Sequence, residues 1–201
     1  MRVIAGKFRS RQLASFPGAD IRPTSDRLRE TLFDVLAAGR DMQESIWLDL
    51  FAGTGAVGIE ALSRGAREVY FVEASRAAAN VIRKNLESLG ISESARIMNA
   101  KALPAVNKLA AQTTRPRFDF CFIDPPYRLE PQYALVMQAL AESGLLAPGA
   151  IVIAEHSKHF DLPEKTAKKL KRYRRLEQGD AVLSFYQNSG LPNFVTAKTR
   201  D

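Results

Sequence analysis

Asp124-Pro125-Pro126-Tyr127 follows the run Phe118-Asp119-Phe120-Cys121-Phe122-Ile123. That run is apolar on both faces, as a strand inside a parallel sheet must be. The chain therefore sets a carboxylate, two φ-locked residues and an aromatic ring at a strand's carboxyl end, where open α/β sheets bind ligands. Asp124 and the rigidly held Pro125 carbonyl can both accept hydrogen bonds from an exocyclic amine, and Tyr127 can stack on the ring that carries it. A proline-rich turn with Asp as a cap and Tyr as packing would have the same letters, so the upstream residues decide.

Upstream, Asp49-Leu50-Phe51-Ala52-Gly53-Thr54-Gly55-Ala56-Val57-Gly58 precedes Val69-Tyr70-Phe71-Val72-Glu73. Gly53, Gly55 and Gly58 fit G-x-G-x-x-G, and Glu73, 20 residues past Gly53, ends the next strand. A carboxylate at that spacing suits the two hydroxyls of a ribose. A dinucleotide site competes on this pattern alone. Asp49 opposes it, because a carboxylate beside the glycine loop repels a pyrophosphate but attracts an ammonium group such as that of S-adenosylmethionine. A methyl donor beside an amine grip makes a coherent machine.

Alternation of hydrophobic patterns supplies the elements that position these residues. Pro23 with Thr24 or Ser25 opens a helix whose stripe is Leu28, Leu32, Val35 and Leu36. Strand 45–50, helix 57–63, strand 68–72 and helix 76–89 follow, with Gly90 as that helix's stop. Strand 96–99, helix 102–110, strand 118–123 and helix 131–143 come next. Pro148-Gly149 turns into strand 150–155, and 170–177 with 181–187 form a hairpin around Gly179-Asp180. Such βα succession demands right-handed crossovers and a mostly parallel sheet. Three segments are expected: a basic arm over 1–22, one domain over 23–187 and a tail over 188–201 without periodicity.

The chain has 201 residues, 46% of them apolar, enough for one core. A single cysteine excludes a disulfide framework, and two histidines make a structural zinc site a poor expectation. No metal is expected. No apolar run reaches the roughly 20 residues of a membrane helix, and the N-terminus lacks an apolar h-region, so a cytoplasmic location is expected, and nothing in the sequence demands more than a monomer. Net charge is +7 and unevenly spread. Residues 1–29 hold seven cations (Arg2, Lys7, Arg9, Arg11, Arg22, Arg27, Arg29) against Asp20 and Asp26. Residues 165–175 hold seven more (Lys165, Lys168, Lys169, Lys171, Arg172, Arg174, Arg175) and no acid. Both suit a phosphate backbone, and both also suit a solvated surface. The arm's alternation, with Arg2, Ile4 and Gly6 then Arg9, Arg11 and Leu13, suggests two short strands turning near Gly6 to Phe8. Such a hairpin is marginal alone and needs the domain or RNA to hold it.

These segments resemble the S-adenosylmethionine-dependent amino-methyltransferases. Within them the chain is similar to the bacterial 16S rRNA guanine-N2 methyltransferases called RsmD. The likeness runs through Arg2-Val3-Ile4-Ala5-Gly6-Lys7, Arg22-Pro23-Thr24-Ser25-Asp26-Arg27, the Asp49 to Gly55 segment, Glu60 to Ala66 and the Asp-Pro-Pro-Tyr. It implies a Rossmann-like class I methyltransferase fold of the α/β class, with a seven-stranded, mostly parallel sheet, an antiparallel C-terminal hairpin and a small N-terminal β-hairpin arm. It also implies methyl transfer from S-adenosyl-L-methionine to the N2 amine of a guanine in 16S rRNA, of the guanine-966 type. The substrate would be the rRNA or the assembling small ribosomal subunit. By the same likeness Asp124, Pro125, Pro126 and Tyr127 are catalytic. Asp49, Phe51, Gly53, Gly55, Glu73, Ala74, Asn99 and Ala102 bind the cofactor, and Arg2, Lys7, Arg9, Arg11 and Arg22 bind RNA. Lys101 stands where related enzymes often carry an adenine-binding Asp, which leaves Asn99 or backbone near Ala102 for that contact.

Guanine N2 is a poor nucleophile because its lone pair is delocalised into the ring. Asp124 and the Pro125 carbonyl would orient its two N–H groups and draw the nitrogen toward a tetrahedral shape. Asp124 would then take the proton after the bond forms. Cys121, mid-strand, reads as core, and His156 with His159 as a polar loop. DNA adenine-N6 methylation and a non-catalytic RNA-binding or assembly module remain as alternatives. Protein glutamine methylation fits less well, because those enzymes usually carry Asn where Asp124 stands.

Overall fold

The computed structural model describes residues 1–15, 25–126, 129–166 and 169–188. Arg22, Thr24, Tyr127, Lys168 and the expected tail beyond residue 188 lie outside the described residues.

Helix α1 (Asp26–Gly39) starts where the Ser25 hydroxyl accepts a hydrogen bond from the Leu28 amide at 3.1 Å. Satisfying an otherwise orphaned amide in this way is what an N-cap does. Its buried stripe is Leu28, Leu32, Phe33 and Leu36, with Val35 only half-buried. Phe33 stacks on Trp47, which stacks on Phe120, so the helix is clamped to two strands at once. Each such side chain contributes about 1.5–3 kcal/mol by leaving water.

Strand β1 (Ile46–Leu50) leads to α2 (Ala56–Ser63), then β2 (Glu68–Val72) to α3 (Arg76–Leu89). Every residue of α2 is buried. A Cβ at Gly58 would stand 2.3 Å from the Phe71 ring, so only glycine lets α2 approach β2 this closely. Gly90 ends α3 in the left-handed conformation, φ +69°, as expected of a helix stop. The chain continues through β3 (Ala95–Met98), α4 (Ala102–Ala110), β4 (Phe118–Ile123), α5 (Pro131–Ser143), β5 (Leu146–Ser157), β6 (Lys165–Thr166), β7 (Leu170–Gln178) and β8 (Ala181–Asn188).

The eight strands form one sheet in the order β3-β2-β1-β4-β5-β8-β7-β6. The first five run parallel and the last three join antiparallel. Seven of the eight answer to the seven strands expected; the eighth is the two-residue β6, too short for any periodicity to announce it. Strand β5 also begins earlier than 150, at Leu146. Pro148-Gly149 bends the strand rather than preceding it, and the pairing with β4 slips between Phe118 and Phe120 to accommodate the extra residues. Chain order reverses direction at β1 and β4, which makes their carboxyl ends the switch point where a crevice opens.

Two cores flank the sheet. Trp47, Phe71, Phe120, Phe122, Ile153 and Phe185 pack toward α1, α2, α3 and the N-terminal arm, while Leu48, Cys121, Ile123, Val152 and Tyr186 pack toward α4 and α5. Cys121 is fully buried, and burial pushes its thiol far up, which makes it core rather than nucleophile. His156 is not part of a polar loop as expected. It is buried in β5, with Nε2 2.9 Å from the Ser184 hydroxyl, and burial lowers its pKa. His159 is exposed after the strand.

The arm doubles back near Gly6 to Phe8, but regular pairing is limited to one bridge, Arg2 with Gln12. Its amides divide between the arm's own carbonyls, as from Val3 to Arg11 at 3.0 Å and from Ser10 to Val3 at 2.9 Å, and the domain. Glu60, a fully buried acid in α2, accepts from Ile4 at 2.8 Å and Ala5 at 3.0 Å. The Ser63 carbonyl accepts from Lys7 at 2.7 Å, and its hydroxyl accepts from Phe8 at 2.9 Å. Gly6 has φ +79°, and a Cβ there would fall 1.8 Å from the Ser63 carbonyl oxygen. The buried Arg29 donates to the Arg2 carbonyl at 2.5 Å and to Asp26 at 3.0 Å. The arm is therefore held by the domain itself.

Candidate active site

Strands β1 and β4 pair directly, Leu50 opposite Ile123. The glycine loop and the Asp-Pro-Pro segment thus leave adjacent strand ends, and the Asp124 amide lies 3.5 Å from the Leu50 carbonyl.

On the β1 side, Phe51 turns the chain with φ +63°, a conformation costly for a bulky residue and typical of functional turns. Ala52 donates to the Val72 carbonyl at 3.0 Å, which holds the loop against β2. Glu73, at the rim after β2, accepts from the Gly53 amide at 2.9 Å and from the Ser75 amide at 2.7 Å. Each carboxylate oxygen has further acceptor capacity. The Asn99 amide nitrogen donates to the carbonyls of Glu73 at 2.8 Å and Ala74 at 3.1 Å, tying the β3 loop to the same rim. Ala102 opens α4 as a buried residue, and Lys101 occupies its N-cap position without a side-chain cap. The structure thus brings Asp49, Phe51, Gly53, Gly55, Glu73, Ala74, Asn99 and Ala102 to the carboxyl ends of β1, β2 and β3.

Asp49 is buried and accepts one hydrogen bond, from the Gly58 amide at 3.0 Å. It forms no ion pair with any described residue. Burial, and then repulsion from Glu73, raise its pKa to about 7, and the Gly58 bond offsets only part of that. A buried carboxyl without a cation is an invitation to one, which fits the ammonium of an amino-acid moiety.

On the β4 side, Asp124 is part-exposed, Pro125 is buried and Pro126 is exposed, its carbonyl accepting from Leu129 at 2.7 Å. Desolvation raises the Asp124 pKa well above the carboxylate range, and the charges of Glu155 and Asp49 add to it. Glu155, buried at the end of β5, is the acid whose electrostatic role here the sequence did not disclose. Its carbonyl accepts from the Tyr133 hydroxyl, which fixes α5 to this strand end. The second omission is the Glu60–Arg29 pair behind the arm, 3.8 Å apart. Signals existed: Glu60 is the sole charge in an otherwise apolar α2, and Arg29 shares a face with Leu32, Phe33 and Leu36 at helical spacing.

Among the proposed RNA-contacting residues, Arg2, Lys7, Arg9 and Arg11 are exposed on the arm. Arg11 is partly spent on an internal bond, 2.7 Å to the Ser88 carbonyl. Among the described residues no group of three His, Cys, Asp or Glu is placed to hold a metal ion, and no helix is long and apolar enough to cross a membrane.

Residues 1–187 match the family described as Conserved hypothetical protein 95. A relative named Ribosomal RNA small subunit methyltransferase D, from Haemophilus influenzae, is 36% identical, covering 94% of both chains. The protein of that name from Escherichia coli is 35% identical over 93% of this chain and 89% of its own. The solved structure of Escherichia coli yhhF is 33% identical with a TM-score of 0.80, covering 94% of this chain and 97% of that one. The parallel sheet with its antiparallel ending is the Rossmann-like methyltransferase fold expected from the sequence. The chain belongs to the family of Ribosomal RNA small subunit methyltransferase D.

Proposed function

We propose that this protein methylates the exocyclic N2 amine of a guanine in small-subunit rRNA, with S-adenosyl-L-methionine as donor. One observation carries the reading: a buried Asp49, without an ion-pair partner among the described residues, lies with the Glu73-clamped glycine loop one strand away from Asp124-Pro125. The relatives' names support an rRNA substrate.

S-adenosylmethionine supplies an electrophilic methyl group on a sulfonium. Asp49 holds the ammonium end, Glu73 takes the ribose hydroxyls, and Phe51, Ala74, Asn99 and Ala102 line the remainder. Asp124 and the Pro125 carbonyl accept the two N–H bonds of the target amine, which aims its lone pair from about 3 Å, the separation of a near-attack geometry. Asp124 needs to be ionised to do this. A cation bound beside Asp49 opposes the mutual repulsion among Asp49, Asp124 and Glu155, and so restores the carboxylate where the proton must go. Tyr127 stacks on the base, which leaves its loop to enter the crevice. Arg2, Lys7, Arg9, Arg11 and Arg22 contact phosphate.

Labelled S-adenosylmethionine, incubated with small-subunit particles from cells lacking this gene and followed by nucleoside analysis, tests the proposal. Label in N2-methylguanosine is expected. Label in another nucleoside, or none, overturns the base assignment.

A further inference from the structure

Resting on that reading of an RNA substrate, we propose that β7 carries a second RNA-contacting surface, centred on Tyr173 and flanked by Lys171, Arg174 and Lys165. The basic run 165–175 separates into two faces that the sequence does not distinguish. Arg172 and Arg175 point to one side and are engaged with Asp161, at 3.0 and 4.0 Å, Arg172 also with the Leu162 carbonyl at 2.7 Å. They are structural. On the other face, Lys165, Lys171 and Arg174 form no ion pair with a described residue.

A β-bulge creates that face. Pairing with β8 slips between Arg172 and Arg174, which stand opposite Tyr186 and Phe185. The extra residue is Tyr173, whose ring packs 6.2 Å from Phe185 yet remains 49% exposed. In an unbroken strand Tyr173 and Arg174 would point to opposite faces; the bulge presents both beside Phe185. Lys171 shares the face, being opposite Gln187 and, one strand further, Ile151 of the same core as Phe185. Lys165 lies directly opposite Lys171. Like charges facing across a ladder cost stability, so this pairing suits an anionic partner better than an isolated fold. Lysines also protect sheet edges from aggregation. That explanation covers Lys165 but not an exposed tyrosine, which works against it.

No acid of β6, β7 or β8 projects from this face: Glu177 alternates with Leu176 and points to the other. Cations around an exposed aromatic ring match single-stranded RNA, whose phosphates and unstacked bases need both. Position supports the same occupant. Arg174, Phe185, Ile153 and Phe122 are consecutive partners across the sheet, and Phe122 is two residues before Asp124. Three strand spacings, about 14 Å, separate β7 from β4, within reach of nucleotides flanking a base held at Asp124.

The test is fluorescence anisotropy of the full-length protein with a labelled mixed-sequence single-stranded RNA across a salt series. Tyr173→Ala is expected to weaken binding about 5- to 100-fold, the range of base–aromatic stacking, with the salt slope kept. Lys171→Ala with Arg174→Ala should lower the slope of log K against log salt by about 1.4, from two lost single-strand phosphate contacts. Lys108→Ala, an exposed cation on α4, should change neither. Binding within twofold of wild type and an unchanged slope in both β7 variants, or no RNA binding by the wild type, overturns the proposal. Circular dichroism confirms that the variants fold. Anisotropy needs no turnover, so methylation of a different base would leave this result standing, and β7 can fail while N2-methylguanosine still forms.

Discussion

Asp49 and Asp124 are two acids on adjacent strands whose environments oppose their ionisation, and that shared penalty is the most informative property of the site at the scale of single residues. With its pKa raised to about 7, Asp49 contributes stability that is complete below its ordinary value of 3.8 and lost as pH rises through 7. The ligand-free protein should therefore melt at a lower temperature at pH 8 than at pH 6 through this group, and Asp49→Asn should remove that component. Cofactor binding runs the other way, because the ammonium needs the carboxylate. Calorimetric titration should find affinity about fivefold weaker at pH 6 than at pH 7, following the ionised fraction of a group with pKa near 7 while the ligand's α-amino group, with an ordinary pKa of about 7.7–8.0, stays largely protonated. An affinity flat across that range would refute the assignment of Asp49. Asp124→Ala should lower the single-turnover methylation rate by at least about 100-fold, the scale of a lost proton acceptor, with cofactor affinity within a few fold of wild type. Both acids were legible in sequence because Asp49 stands near the end of one apolar strand and Asp124 directly follows another. Glu155 was visible as a letter, but its charge matters only because β5 pairs beside β4, and pairing order is not written locally.

Among the elements, α2 does most to organise the molecule. Its N-terminal end carries the glycine loop, its Gly58 meets Phe71, and its Glu60 and Ser63 hold the arm. Replacing Gly6 by Ala should release the arm, since the new methyl collides with the Ser63 carbonyl in a backbone conformation that alanine resists. Hydrogen exchange is the suitable measurement. The amides of Ile4, Lys7 and Phe8 should lose protection while those of β1 to β5 keep it, and an unchanged Lys7 amide would contradict the docking described. Helix and strand positions were readable from periodicity and caps: Ser25, Gly90 and the apolar runs mark their own boundaries. The departures have local physical causes. β6 is too short to show a period, β5 absorbs Pro148-Gly149 within a register slip, and the arm gives the amides of Ile4, Ala5, Lys7 and Phe8 around its turn to α2 rather than to a regular ladder.

For the whole molecule, charge and topology act together. The arm and the Tyr173 face of β7 both belong to the side of the sheet covered by α1, α2 and α3, so the two proposed RNA contacts share one side of the sheet. Reversing Arg9 and Arg11 to Glu should weaken RNA binding and flatten its dependence on salt, because each phosphate contact contributes counterion release. Filter binding at several salt concentrations measures both, and an unchanged slope would remove the arm from the interface. Local sequence was enough for the alternation of elements, the acids and glycines at strand ends and the two basic runs, since each is a matter of nearby residues obeying a period or a cap. Tertiary structure alone decided which carboxyls share a buried space, which cations of the 165–175 run are consumed by Asp161 and which face outward. Those outcomes depend on strand order, on one bulge and on desolvation, and none of the three has a value until distant segments are packed together.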